Sequence, residues 1–187
     1  DTTRSQVAKE AVVAGAAMVN DITAGNEDPK MMEVVGALGV PYIAMHMQGT
    51  PQTMQNNPQY QNILPDIRLL LAQTIEKAYA QGINDVIIDP GFGFGKTVAH
   101  NYKLLKNLGE FQHLEVPILV GVSRKSMIQK VLGVSAQDAL NGTSVLHTMA
   151  LNRGAHILRV HDVKEAKEVV QLFEQVQNPE KRIGIET

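Results

Sequence analysis

The chain repeats short apolar runs that stop abruptly on polar residues. Runs of this length that are rich in β-branched residues are typical of strands buried on both faces of a parallel sheet. The three clearest runs, each with its polar end, occupy residues 86–91, 118–125 and 157–161. Because α/β folds build their sites at the carboxyl ends of parallel strands, we expect these ends to form one pocket for a small polar, anionic ligand. The side chains concerned are Asp89, Arg124, Lys125, Arg159 and His161.

Between the strands the chain repeats a helical stretch that runs into a glycine, which is followed by the next strand. A glycine just past a helix supplies the left-handed cap conformation. The glycines in this position are Gly15, Gly39, Gly82 and Gly154. Apolar residues at helical spacing predict a buried stripe on two of the helices. The stripes are Ile63, Ile67, Leu70, Leu71, Ile75 and Ala78 on one helix, and Ala166, Val169, Val170 and Phe173 on the other.

Alternating strands and helices predict a parallel sheet with right-handed crossovers, either a closed barrel or a doubly wound open sheet. The predicted strand ends fall near Asp1, Asp21, His46, Asp89, Ser123 and His161. A TIM (β/α)8 barrel needs roughly 250 residues, and this chain has 187. The chain begins as if at the end of a strand whose apolar body lies upstream. We therefore predict an α/β TIM barrel represented by strands 4–8, their helices and the end of strand 3, so that residues 1–187 form one amino-terminally incomplete domain.

Composition narrows the classes of function. The net charge of −2 gives no field that favours nucleic acid or an anionic membrane. The chain has no Trp, only 4% aromatic residues and no Cys, which argues against single-strand stacking platforms and excludes disulfides and thiolate metal sites. No run approaches the ~18 apolar residues of a membrane span. We predict a cytoplasmic protein with no nucleic-acid or membrane partner.

The glycine-rich segment at residues 91–97 fails both common nucleotide-binding motifs. A Walker A loop needs four residues between its first glycine and its Gly-Lys pair, and Gly91 and Gly95 leave three. The dinucleotide fingerprint is also one residue short. The segment is therefore either a tight turn or a site loop that holds Phe94 at the rim of the barrel. The Gln- and Pro-rich stretch at residues 47–62 has the composition of a mobile flap over the site.

Polar residues at three strand ends suit a flat heterocycle. A carboxylate such as Asp89 can accept two parallel N–H bonds from an amino-pyrimidinone edge, and Asn20 and Asp1 lie at neighbouring strand ends. The alternatives are a helix N-cap for Asp89 and turn chemistry for Asn20 and Asp21.

A second group of polar residues follows the later strands. Residues 123–126 open a helix, where basic side chains are unfavourable unless they meet an anion, and Arg159 and His161 alternate to one face of the last strand. Four other histidines are predicted to be structural, namely His100, His113, His147 and His156. His46 ends a strand and stays open between the two roles. No cluster has metal-ligand spacing, and no Ser-His-Asp constellation can be assembled.

Together the motifs resemble the dihydropteroate synthase family, in order and over essentially the whole chain. They are Asp1-Thr2, Val19-Asn20-Asp21-Ile22, Met45-His46-Met47-Gln48-Gly49-Thr50-Pro51, Asp89-Pro90-Gly91-Phe92-Gly93-Phe94-Gly95-Lys96, Ser123-Arg124-Lys125-Ser126 and Arg159-Val160-His161-Asp162. The resemblance implies a pterin-binding TIM barrel that joins 7,8-dihydropterin-6-ylmethyl diphosphate to 4-aminobenzoate. The products are 7,8-dihydropteroate and pyrophosphate, in folate biosynthesis, and the family is the target of sulfonamides.

The resemblance also implies a role for individual residues. Asp89 would bind the amino-pyrimidinone edge of the pterin, and Asn20 and Asp1 would bind the remaining ring nitrogens. Lys125 would donate to the pterin oxygen and a ring nitrogen. The implied catalytic residues are Asp1, Asp89 and Lys125, and the implied apolar lining of the pterin pocket is Ile22 and Met45.

The remaining implied contacts concern the diphosphate and the second substrate. Arg159 would stack on the pterin and, with His161, bind the diphosphate, while Ser126 would bind the carboxylate of 4-aminobenzoate and Phe94 would pack on its ring. The implied mechanism is dissociative, with pyrophosphate leaving with the help of Mg²⁺ and the amine capturing a pterin-methyl cation. The resemblance places a Mg²⁺ ligand in an upstream loop, with no metal ligand in this chain, and implies a homodimer. Without the upstream loops, activity of residues 1–187 is not expected.

Two other functions compete with this one. A pterin-binding methyltransferase domain of the methyltetrahydrofolate type would keep the Asp and Asn contacts to the pterin. It would have no need of Ser-Arg-Lys-Ser, or of Arg159 and His161 for a diphosphate. A non-catalytic pterin-binding fragment is the third alternative.

Overall fold

The computed structural model describes residues 1–49, 54 and 58–180. The elements follow one another as strand and helix in alternation, with a 3₁₀ helix and one additional α-helix. In chain order they are α1 Ser5–Val13, β1 Val19–Asp21, α2 Met31–Leu38, β2 Tyr42–Met45, α3 Ile63–Ala80, β3 Val86–Asp89, α4 Val98–Lys106, the 3₁₀ helix Leu108–Leu114, β4 Leu119–Val120, α5 Ser126–Leu132, α6 Leu140–Leu151, β5 Ile157–Leu158 and α7 Val163–Gln177. The predicted alternation is confirmed.

The five strands of the described residues lie side by side in chain order, and all pairs are parallel. Strands β1, β2 and β3 form one ladder, and β4 pairs with β5. A parallel bridge between Ile88 and Ile118 joins the two ladders. A doubly wound sheet reverses its strand order at a switch point, and the described strands show no such reversal, which favours the barrel. The Thr2 N–H donates to the Asn20 carbonyl at 3.0 Å, so the first residues lie beside β1, as predicted for the end of a preceding strand.

The core lies between the sheet and its covering helices. Most of the stripe predicted on α3 is buried, but Leu70 is 50% exposed and is a wrong prediction. On α7 only Ala166 is buried, and the other three predicted residues are half-buried. None of the helices in the described ranges is long and apolar enough to cross a membrane. Seven of the 16 residues of the predicted flap at residues 47–62 fall outside the described residues, among them Thr50 and Pro51 of the motif that overlaps it.

Candidate active site

The carboxyl ends of the later strands surround one cavity of about 230 Å³. The structure places there four of the side chains that the strand-end pattern predicts to share a pocket, together with the ring of Phe94. The lining residues are Asp89, Phe94, Gly121, Ser123, Lys125, Arg159, Val160 and His161. Their elements are β3, the turns after β4 and β5, and the glycine-rich loop between β3 and α4. Parallel strands in register bring these ends to one rim, so the grouping follows from the topology.

Asp89 lies at the base of this cavity and is only 3% exposed. Its Oδ1 accepts the Gly91 N–H at 2.7 Å. Burial raises the pKa of Asp89, while the Gly91 N–H and the charges of Lys125, Lys96 and Arg159 act to lower it. Asp89 does not cap a helix, because α4 begins at Val98 with Thr97 as its N-cap. The N-cap alternative is therefore wrong.

Lys125 lies at the start of α5, and its side chain contacts the glycine-rich loop. Its Nζ donates to the Phe92 carbonyl and lies 4.8 Å from the centroid of the Phe94 ring. Burial lowers the pKa of Lys125 to about 8. The positive charge of Arg159 also lowers this pKa, and the charge of Asp89 raises it. The cavity thus combines a buried carboxyl group with an ammonium group whose proton is weakly held.

A second set of polar contacts joins the first described strand to the last. The Asn20 Nδ2 donates to Asp1, and Arg159 donates to Asp1 Oδ2 at 2.7 Å. The Asn20 Oδ1 is buried and has no hydrogen-bond partner among the described residues. A buried amide oxygen without a donor is costly, so this atom is suited to a donor from a ligand. Asp21, in contrast, accepts from Thr23, Gly25 and the Tyr42 hydroxyl, which confirms its predicted turn role.

Contacts between the turns after β4 and β5 fix the rim near His161. The Ser123 Oγ lies 2.9 Å from the His161 Nδ1. Arg124 donates to both carboxylate oxygens of Asp162 at 2.8 Å, and also to two carbonyls of the loop between α5 and α6. The charge of Arg124 is therefore balanced by Asp162. The strand-end pattern predicts Arg124 in the pocket, and this prediction is wrong, because Arg124 does not line the cavity.

Other predicted site residues lie outside the lining of this cavity. Met45 is buried opposite Asp89 in the β2–β3 register, and Ile22 is half-buried just after β1. Ser126 is exposed at the start of α5 and lines a separate cavity of about 220 Å³ with Lys130 and residues of the loop before α4. The roles of these three residues stay predictions.

Sequence reasoning assigned no role to Lys96, which is one of the most buried charged residues. It lies under the glycine-rich loop and contacts His46. Burial lowers the pKa of Lys96 to about 7 and that of His46 to about 3. The sequence signal that could have indicated a role is the position of Lys96 inside a glycine-rich segment that matches no nucleotide-binding motif.

The lowered lysine pKa values predict a pH-dependent stability. The unfolded chain holds these lysine protons up to about pH 10.5, but the folded chain releases them from about pH 7 at Lys96 and about pH 8 at Lys125. Since the unfolded state binds more protons in this window, the stability of the folded state rises with pH. We expect the melting temperature to rise between pH 7 and pH 9 in thermal unfolding scans.

A matched pair of variants checks that prediction. Lys96→Met should show a smaller rise in melting temperature, since it removes one of the two titrating groups. Lys9→Met removes an exposed lysine and should keep the wild-type slope. An unchanged slope in Lys96→Met would show that the Lys96 pKa is close to its ordinary value.

The described residues include no group of three or more His, Asp or Glu side chains that could hold a metal ion. The Mg²⁺ requirement and its upstream ligand stay predictions.

Comparison with known proteins places the chain in a family. The family model for "Pterin binding enzyme" matches residues 1–161. The dihydropteroate synthase of Escherichia coli strain K12 is 42% identical over 176 residues, which are 93% of this chain and 62% of that protein. Among solved structures, the Yersinia pestis dihydropteroate synthase with a sulfonamide drug complex has a TM-score of 0.92 at 42% identity, over 95% of this chain and 65% of that one. The Thermus thermophilus dihydropteroate synthase in complex with 4-aminobenzoate has a TM-score of 0.91 at 35% identity, over 95% of this chain and 73% of that one.

The chain belongs to the pterin-binding enzyme family. Its strands, in order and parallel, are part of the TIM barrel of the dihydropteroate synthases that it matches in sequence and structure, so the predicted fold and the predicted family are both confirmed. The chain spans 62% of the Escherichia coli relative and 65% of the Yersinia pestis chain, less than two thirds of each.

Proposed function

We propose that the chain supplies the pterin and 4-aminobenzoate sites of a dihydropteroate synthase. The observation that carries this proposal is the buried carboxyl group of Asp89 at the base of a cavity with cationic Lys125 and Arg159, and His161, at its sides. Such a cavity suits a ligand with a flat hydrogen-bonding heterocycle at one end and an anionic group at the other. The relatives named above support the same reaction.

In the proposed complex the pterin lies over Asp89. The carboxyl group accepts N–H bonds from the amino-pyrimidinone edge, and the buried Asn20 Oδ1, which lacks a partner in the described part of the chain, accepts from another ring nitrogen. Lys125 donates to the pterin oxygen. The pterin contacts thereby use the buried groups whose hydrogen bonds would otherwise be incomplete.

The reaction exchanges one bond for another at the pterin methylene carbon. The bond from this carbon to the diphosphate oxygen breaks, and its electron pair leaves with pyrophosphate. The amine nitrogen of 4-aminobenzoate then forms a bond to the carbon and loses a proton. In this proposal negative charge on Asp1 and Asp89 stabilises the cationic pterin, and positive charge or donors on Arg159 and His161 stabilise the leaving diphosphate.

The second substrate is placed by the glycine-rich loop and the start of α5. The Phe94 ring, which lies on the wall of the cavity, packs against the aromatic ring of 4-aminobenzoate. Ser126 accommodates its carboxylate. A Mg²⁺ ion with its protein ligand in an upstream loop would neutralise charge on the diphosphate. A homodimeric state and a cytoplasmic location complete the proposal.

Turnover with both substrates tests the proposed function. The full-length protein that contains this chain should form dihydropteroate and pyrophosphate from pterin diphosphate and 4-aminobenzoate. Methyl transfer from methyltetrahydrofolate to an acceptor, without dihydropteroate formation, would instead indicate the methyltransferase alternative. Pterin binding with neither activity would indicate a non-catalytic pterin-binding protein.

Replacement of the two rim residues should separate the diphosphate from the pterin. Arg159→Ala and His161→Ala should each weaken binding of pterin diphosphate by about 10- to 100-fold, since each removes a donor to an anionic group. Both should bind the corresponding pterin alcohol with much smaller losses. Titration calorimetry with the two ligands measures the difference.

Arg153→Ala is the matched control for Arg159→Ala. Arg153 is a half-buried arginine in the loop that enters β5, at the opposite end of the barrel, and it donates to carbonyls of α4 and α6. It should leave both affinities unchanged. Equal losses for pterin alcohol and pterin diphosphate in the Arg159 and His161 variants would contradict a diphosphate role.

A further inference from the structure

Two buried side chains that the proposed function does not use meet at the glycine-rich loop, where Lys96 also lines the cavity that contains Ser126. Lys96 ends the glycine-rich loop and His46 follows β2, and they are only 4% and 6% exposed. The Lys96 Nζ lies 3.0 Å from the His46 Nδ1, although the residues are 50 positions apart. A buried ammonium is costly unless its hydrogen bonds are made, so this contact requires a compensating arrangement.

The acceptors around Lys96 match the donors of its ammonium group. Besides the His46 Nδ1, the Nζ donates to the Gly91 carbonyl at 2.8 Å and to the Phe94 carbonyl at 2.9 Å, with a longer contact of 3.4 Å to the His46 carbonyl. An ammonium has three donors and no acceptor, and here it has an acceptor for each. Two acceptors belong to the glycine-rich loop, and the ring nitrogen and carbonyl of His46 lie at the end of the neighbouring strand. Lys96 thereby closes the loop on itself and ties it to β2.

The chemistry of His46 fits the role of a fixed acceptor. Burial lowers the pKa of His46 to about 3, and the positive charge of Lys96 adds to the effect. The imidazole is therefore neutral near pH 7. When the Lys96 amine is protonated, the His46 Nδ1 accepts from it, and the ring proton is then carried by Nε2.

The same loop residues face the cavity with their other atoms. The Gly91 N–H donates to Asp89, and the Phe94 ring lies over the Lys125 ammonium. The backbone atoms that Lys96 holds are thus in the residues that orient the carboxyl group and form the aromatic wall. A displacement of the loop by even 1 Å would move both, and misplacements of this size can cost about 100-fold in rate.

We propose that Lys96, with His46 as its acceptor, is a positioning residue that sets the place of the Phe94 wall and thereby the affinity for the aromatic amine substrate. The inference rests on the proposed function for its substrate. The hydrogen bonds that carry it do not depend on that function. Lys96 acts through the loop and makes no contact with the reacting atoms.

Three variants of the full-length protein test the role. Lys96→Met keeps the length of the side chain and removes its donors. His46→Leu removes the acceptor, while His46→Asn places an amide oxygen near the position of Nδ1 and serves as the matched rescue variant. For each, KM and kcat are measured with both substrates, and amide hydrogen exchange is measured over residues 89–95.

Lys96→Met and His46→Leu should raise the KM for 4-aminobenzoate by about 10-fold or more, and raise the KM for pterin diphosphate less. They should also speed exchange of the loop amides. His46→Asn should remain close to the wild type in both measurements. If Lys96→Met does not fold, the comparison of His46→Leu with His46→Asn tests whether the contact between Lys96 and His46 positions the loop.

Other results would overturn the role. A lower melting temperature with both KM values and loop exchange unchanged would make Lys96 a structural residue only. Equal defects in His46→Asn and His46→Leu would remove His46 as the acceptor. If the wild-type protein shows no turnover, the proposed function fails. The exchange measurement then still decides: unchanged loop exchange in Lys96→Met overturns the positioning role, and faster exchange supports it.

Discussion

Replacement of Asp89 by asparagine should reduce pterin affinity by about 100-fold or more. The carboxylate has two acceptor oxygens, and one of them already binds the Gly91 N–H. Asparagine offers one oxygen and one NH₂ group. Its NH₂ group, which cannot accept, would therefore face either the Gly91 N–H or the pterin N–H. Because Asp89 is only 3% exposed, a group left unpaired there is costly. Calorimetric titration of the full-length protein with the pterin measures the loss.

Asp85→Asn is the matched control for this prediction. Asp85 immediately precedes β3 and is exposed, at the opposite end of the strand from Asp89. It should leave both pterin affinity and melting temperature close to those of the wild type. Unchanged pterin affinity in Asp89→Asn would remove Asp89 from the site, and a loss of folding in Asp89→Asn would be seen in its thermal transition.

The apolar strands and the apolar face of α3 could be predicted because their signals are local. Hydrophobic runs and helical spacing depend only on residues a few positions apart. Leu70 is the exception on α3, and it is half exposed. It precedes Leu71 by one residue, which is about 100° around the helix, so it lies at the border of the stripe. Burial at such a border depends on which neighbouring element covers the helix, which spacing alone does not determine.

The cavity could be predicted only as a rim of strand ends. Parallel topology brings the ends of β3, β4 and β5 together, whatever the side chains are, so the grouping of Asp89, Lys125 and Arg159 followed from the pattern. Arg124 has the same sequence signal as Lys125 but pairs with Asp162 instead. The choice between cavity and ion pair depends on side-chain directions in two turns 38 residues apart.

The contact between Lys96 and His46 could not be predicted for the same reason. Nothing in the spacing of the two residues relates them, since they meet through the packing of the glycine-rich loop against the end of β2. The sequence left His46 open between a structural and a site role. Its hydrogen bond with Lys96 indicates that these roles coincide, because the loop it supports also forms the wall of the cavity.

Gly91 connects the glycine-rich loop to the cavity, because its backbone makes hydrogen bonds with both Asp89 and Lys96. Its φ is +73°, and a Cβ added there would lie 1.8 Å from the His46 carbonyl oxygen. That oxygen belongs to the backbone, so the clash cannot be relieved by a side-chain rotation. The Gly91 N–H also orients Asp89, and the Gly91 carbonyl accepts from Lys96. A displacement of Gly91 would therefore disturb both the carboxyl group and the loop.

Gly91→Ala should lower the free energy of unfolding of the full-length protein by more than about 4 kcal/mol and abolish tight pterin binding. Gly39→Ala is the matched control, because Gly39 has a similar φ of +65° with no atom within 4 Å of the added Cβ. The control should cost only the left-handed strain of about 1–2 kcal/mol and leave pterin affinity unchanged. Urea unfolding and calorimetric titration of both variants measure these effects. Equal losses of stability in the two variants, with pterin binding retained in Gly91→Ala, would show that the loop can move away from His46 at little cost and that the wall of the cavity is not fixed at this point.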